Sequence, residues 1–176
     1  MFIRVKKRKN KAGELKAYAY VVESSYKKRK KSPRQKAKKY LGRVYYFNCE
    51  KAVFEGFTPE WIIDNDYQTI IKTLIIRELK QLGFIEKGGV WENKLVVVDI
   101  AARRVWHKDG KNEVCIALNE GFLTKYTLRR VLDFKPPEAL ERQIGKALGD
   151  AIVSAGVQID QRLFISLFRK IIDSLG

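Results

Sequence analysis

The sequence predicts an α+β protein, on three observations. The first fifty or so residues interleave aromatic and β-branched residues with cations in the manner of strands. A middle stretch holds one long helical period and then β-rich runs, and the final third carries two amphipathic helical stripes. Charge divides the chain at nearly the same place. From Met1 to Lys51 there are 18 lysines and arginines against three acids, a net of +15, whereas the remaining 125 residues carry 18 basic and 17 acidic side chains. Charge concentrated in this way repels itself and stabilises no fold, but it attracts a polyanion over a Debye length of about 8 Å at physiological salt. The expected organisation is a basic, β-rich nucleic-acid-binding module over residues 1–51 and an α+β body with a C-terminal helical hairpin over residues 52–176.

In the module, Phe2, Ile3 and Val5 open a strand, the run from Lys6 to Gly13 reads as a turn-like basic cluster, and Lys16 to Ser24 alternates as a second strand, giving a β-hairpin. A second basic loop runs from Tyr26 to Pro33, and Arg34 to Phe47 supplies a third strand in which Gly42 marks a bulge or a close backbone approach. Three strands with one apolar face are expected to hold together as a small sheet, Tyr18, Tyr20, Tyr26 and Tyr40 belonging to that face or, for a single-stranded nucleic-acid partner, stacking on exposed bases.

In the body, Thr58-Pro59-Glu60 is a helix start, and Asp66 caps a longer helix over Tyr67 to Leu82 that Gly83 ends. Gly88-Gly89 is a tight turn. Lys94 to Ile100 reads as a buried strand that Arg103 to Trp106 continues or pairs with, and Lys108 to Asn112 as a hairpin turn before Glu113 to Leu118. Thr124 or Thr127 opens a short helix toward Leu132, and Pro136-Pro137 ends it and starts the next. Leu140, Ile144, Leu148, Ala151, Ile152 and Ala155 form one stripe, in which Gly145 and Gly149 allow close approach. Phe164, Leu167, Phe168, Ile171, Ile172 and Leu175 form another, wide enough to serve as a homodimer interface.

The order Tyr18-Ala19-Tyr20-Val21-Val22-Glu23-Ser24, a basic loop, Arg34-Gln35-Lys36 and then Tyr40-Leu41-Gly42-Arg43 resembles the N-terminal segment of insertion-sequence DDE transposases and of related archaeal hypothetical proteins. The resemblance covers about residues 16 to 44. It implies a DNA-contacting module, and DNA binding more than transposition. The helix ending in Glu78-Leu79-Lys80-Gln81-Leu82-Gly83 with strands after it also resembles the last helix and wing of a winged helix.

Chemistry is sparse. His107 is the single histidine, and Cys49 and Cys115 stand far apart in no metal-ligand spacing, so no zinc site is expected and both thiols read as free. There is no phosphate-binding Gly-x-x-x-x-Gly-Lys loop and no Gly-x-Gly-x-x-Gly, and no cofactor is expected. The resemblance carries one enzymatic alternative, a metal-dependent phosphodiester reaction. Asp99 at the end of its strand matches the first carboxylate position, but Glu113 and Glu120 stand in no context that makes them the second and third. Asp99 is otherwise a strand-end carboxylate that makes a turn or an ion pair with Arg103 or Arg104.

The expected function is noncatalytic binding of nucleic acid, with double-stranded DNA favoured by the resemblance and RNA or ribosome association as the alternative. Lys6, Lys7, Arg8, Lys9 and Lys11 in the first loop and Lys27, Lys28, Arg29, Lys30 and Lys31 in the second are expected to contact phosphates and release counterions. Arg34, Lys36, Lys38 and Arg43 are expected to line the same face. No run of about 18 to 20 apolar residues suggests a membrane span, and Met1 to Lys11 lacks a signal-peptide core, so a cytoplasmic protein without membrane partners is expected.

Overall fold

The computed structural model describes residues 1–27, 32–48, 57–110 and 112–175. Strands β1 (Phe2–Lys9), β2 (Leu15–Lys27) and β3 (Ser32–Tyr45) pair antiparallel in sequence order. The basic run after Val5 is strand rather than loop, because Lys6 to Lys9 pair with Tyr18 to Leu15 in unbroken register. The turn itself is Asn10 to Glu14. It is closed by the Glu14 N–H donating to Asn10 Oδ1 (2.8 Å) and by Gly13 at φ +79°. The second basic loop is likewise shortened, since β2 runs to Lys27 and β3 begins at Ser32; Lys28 to Lys31 lie outside the described residues.

Helix α1 (Pro59–Asp64) is capped by Thr58, whose hydroxyl accepts from the Trp61 N–H at 3.3 Å. Helix α2 (Tyr67–Gln81) is capped by Asp66, which accepts from the Thr69 N–H at 3.0 Å. After it, β4 (Ile85–Lys87), β5 (Val90–Glu92), β6 (Val96–Asp99) and β7 (Arg104–His107) form a four-stranded antiparallel meander, so that more than a two-stranded wing follows the helix. The hairpin expected across residues 108–112 is reduced to one bridge, Trp106 to Glu113. Beyond it β8 (Val114–Leu118) leaves the meander, pairs parallel with β3, and turns back into β9 (Gly121–Leu123). The larger sheet is therefore β1-β2-β3-β8-β9, and the basic strands are its first three members.

Helix α3 (Lys125–Leu132) opens on a capping box between Thr124 and Thr127. Helix α4 (Glu141–Ser154) starts four residues past the paired prolines rather than on them, and Leu140 at its cap stays exposed. The residue before a proline is pushed out of helical geometry, so Pro136 cannot initiate the helix through Pro137. Helix α5 (Gln161–Asp173) lays Phe164 and Phe168 over Gly149 and Gly145; a Cβ on Gly145 would stand 3.3 Å from the Phe168 ring. The two phenyl groups are thus engaged within the chain.

The main core lies between α2, the meander, β8 and helices α3 to α5, with Ile70, Leu74, Val98, Ile116, Leu128, Leu148 and Leu167 fully buried. A second, smaller cluster lies beneath the basic strands. Among the described residues no helix is long and apolar enough to cross a membrane.

Candidate nucleic-acid interface

Alternation gives the basic strands two unlike faces. One is apolar: Ala17, Ala19, Val21, Leu41 and Val44 are buried together with Cys115 of β8, and Ile3, Val5, Phe122 and Tyr126 pack against them. The other is cationic and aromatic. Register sets Arg4 opposite Tyr20, Lys6 opposite Tyr18 and Arg8 opposite Lys16, and then Tyr20 opposite Tyr40 and Tyr18 opposite Arg43. Directly opposed residues share a face. Tyr18, Tyr20 and Tyr40 are therefore not the sheet's apolar side. The buried side is taken by Ala17, Ala19, Val21, Leu41 and Val44, and these three phenolic rings lie on the solvent side, where Tyr40 is 54% exposed. The rings form a cluster, with Tyr20 and Tyr40 centroids 5.3 Å apart and Tyr18 and Tyr40 6.4 Å apart. Lys6 Nζ lies 5.5 Å from the Tyr20 centroid, a cation–π contact.

The face depends on a bulge at Gly42. Tyr40 and Arg43 are three apart and in a regular strand would point to opposite sides. The pairing slips between Ala19 and Tyr20, leaving Leu41 as the extra residue, so Tyr40, Arg43 and Tyr45 come to one side while Leu41 and Val44 go to the other. Arg43 then lies over the Tyr45 ring at 4.9 Å. Gly42 holds φ +124°, and a Cβ there would stand 2.3 Å from the Glu113 carbonyl oxygen; both alternatives that glycine signals are present.

The expected phosphate contacts divide by position. Lys6 and Arg8 project on the tyrosine face, Lys7 and Lys9 alternate to the other side of the same exposed strand, and Lys11 sits in the Asn10–Glu14 turn. Of Lys27 and Arg34 only the strand positions are described, Lys27 opposite Ser32 and Arg34 opposite Ser25. The remaining members do not share one face. Arg43 stands with Tyr18, whereas Lys36 is opposite Glu23 and Lys38 bonds Glu23 at 2.7 Å, because a second bulge between Val21 and Val22 reorders the strand there. The Lys38 hydrogen bond and charge hold the Glu23 carboxyl below its ordinary pKa. Lys16 pairs with Glu14 at 3.5 Å. Arg4, Lys6, Arg8 and Arg43 have no carboxylate partner among the described residues; Arg4 instead donates to the Gln35 side chain.

Where this face meets the body there is a polar cleft of about 590 Å³. Tyr18, Tyr40, Arg43 and Tyr45 form its sheet wall, and His107, Asp109, Asn112 and Glu113 its body wall. The body wall is positioned by the β7–β8 connection: the His107 N–H donates to the Asn112 carbonyl at 3.0 Å, and His107 Nδ1 lies 3.0 Å from Asp109 Oδ2. Glu113 is held by Lys125 at 2.5 Å, and the Tyr45 and His107 rings are 5.6 Å apart. Sequence alone did not single out Arg4, Lys16, Tyr45 or this use of His107. The alternation Arg4, Lys6, Arg8 carries the signal for the first, but the cleft depends on a pairing between distant strands.

Asp99 caps its own turn, accepting from the Ala102 N–H at 2.7 Å, while Arg103 pairs with Asp133. Among the described residues no group of three His, Cys, Asp or Glu side chains is placed to hold a metal ion. Comparison with protein-family models, with curated proteins and with solved structures finds no match to this chain.

Proposed function

We propose that this protein binds nucleic acid without catalysing a reaction on it, gripping backbone phosphates with the cationic face of β1 to β3. The observation that carries the reading is the register. It gathers Arg4, Lys6, Arg8, Lys16 and Arg43 on one exposed side, interleaved with tyrosines, and of these five only Lys16 has a carboxylate partner among the described residues. Unneutralised cations held at fixed spacing on a rigid sheet cost self-repulsion in the free protein and recover it when a polyanion replaces their counterions. Duplex DNA is the form that the resemblance over residues 16 to 44 implies.

The test is fluorescence anisotropy of the full chain against labelled duplex DNA, single-stranded DNA and structured RNA across a salt series. A steep loss of affinity with salt is expected. In the triple variant Lys6→Gln, Arg8→Gln, Lys16→Gln the slope of log affinity on log salt should fall by up to about 3 on duplex, since each lost phosphate contact removes about 0.9. Absence of binding to every probe at low salt overturns the function, and an unchanged slope in the triple variant overturns the assignment to this face.

A further inference from the structure

Resting on that reading, we infer that the cleft between the tyrosine face and the β7–β8 connection receives an unpaired nucleobase, the phosphates on either side of it lying along β1 and β2. The two walls decide which part of a nucleotide enters. A phosphate placed inside would face the Asp109 carboxylate, Glu113 beside it being already paired with Lys125, and like charges at close range are disfavoured. A base is neutral and planar. It presents ring faces to Tyr40 and Arg43, and edge N–H and carbonyl groups to the imidazole, carboxylate and amide groups of His107, Asp109 and Asn112. The Asp109 carboxylate thus favours the orientation with the phosphate outward and the base inward.

The surroundings agree with that orientation. Arg4, Lys6, Arg8 and Lys16 run away from the cleft along the same face, so a strand whose base enters beside Tyr40 continues over cations. The tyrosine cluster stands on the solvent side, Tyr40 exposed and Tyr18 and Tyr20 half-buried, although the sheet has an apolar face to bury such rings, and its pairs are tilted at 41° and 51° rather than stacked. Aromatic rings beside a basic track are the elements of single-strand recognition, where stacking gives affinity with little sequence preference. At about 590 Å³ the cleft falls in the range of ordinary ligand sites. A base inside a duplex has its faces covered by its neighbours, so only an unpaired or extruded base can enter.

The experiment uses the full chain and three probes of one mixed sequence: a single strand, the blunt duplex, and the duplex interrupted by a short single-stranded gap. The single strand and the gap carry 2-aminopurine, an adenine analogue whose emission falls on stacking. Tighter binding of the single strand and the gapped duplex than of the blunt duplex is expected, with quenching on binding. Tyr40→Ala, at a half-exposed position, should weaken those two by about 5- to 150-fold, distinctly more than the blunt duplex, and remove the quenching, whereas Tyr40→Phe should keep both. Equal effects of Tyr40→Ala on all three probes, or none on any, overturn the base subsite and leave phosphate binding standing. If the unaltered chain binds no probe at low salt, the nucleic-acid reading fails with it.

Discussion

Gly42 concentrates in one residue the constraints that make the face. Its φ of +124° is closed to other side chains, and its hydrogen points at the Glu113 carbonyl where β3 and β8 run side by side. Alanine at this position adds to the backbone strain a Cβ only 2.3 Å from a backbone oxygen that cannot swing aside. Gly42→Ala is expected to destabilise the fold by about 2–5 kcal/mol, read from the urea midpoint. It should also lower affinity for nucleic acid under conditions where the variant remains folded, because the bulge that brings Tyr40 and Arg43 together shifts with it. The glycine was legible in the sequence as a bulge or a close approach. Its consequence for Tyr40, Arg43 and Tyr45 was not, because alternation counted along β3 in a regular strand puts Tyr40 and Arg43 on opposite faces.

Elements were legible where the local signal is complete. Asp66 before the α2 period, Thr124 before α3 and the glycines facing Phe164 and Phe168 all act as their spacing indicates. The failures are of partner choice. Val114 to Leu118 reads as a strand from its β-branched content, but nothing within it says that it pairs with Arg43 to Tyr45 rather than with the nearby β7. Lysines hide alternation in the same way, so the sequence past Val5 reads as loop although its register with β2 makes it strand. One contact that joins elements sits on Glu78, a 1% exposed carboxylate on α2. It takes Arg77 at 2.7 Å, the Asn119 side-chain amide at 3.0 Å and the Gln158 N–H at 3.3 Å, binding α2 to the β8–β9 turn and to the α4–α5 connection. Asn119 also donates to the Gly156 carbonyl at 2.7 Å. Glu78→Ala leaves these donors without their shared acceptor and is expected to cost about 3–5 kcal/mol by denaturant unfolding. Glu78→Gln, which keeps one acceptor oxygen, should cost distinctly less.

At the scale of the whole molecule, the charge boundary near residue 51 is not a boundary of the sheet. Three residue pairs, Arg43 with Val114, Val44 with Cys115 and Tyr45 with Ile116, carry the ladder across it. Val44 and Cys115 are also members of one buried cluster, so neither side of the junction keeps its apolar face covered if the other melts. The two halves are therefore expected to unfold in a single cooperative transition despite the contrast in charge. Cys115 supplies a local reporter of the junction. Burial, with a smaller contribution from Glu113, pushes its thiol up to about 12, and only the thiolate reacts with alkylating or disulfide reagents. In a Cys49→Ser variant at pH 8, Cys115 should be inert in the native protein and become reactive along the urea titration with the same midpoint as the loss of helical circular dichroism. Labelling that precedes the helical transition would mean that β1 to β3 detach as a separate unit, and the cationic face would then be a module hinged to the body rather than one wall of a fixed cleft.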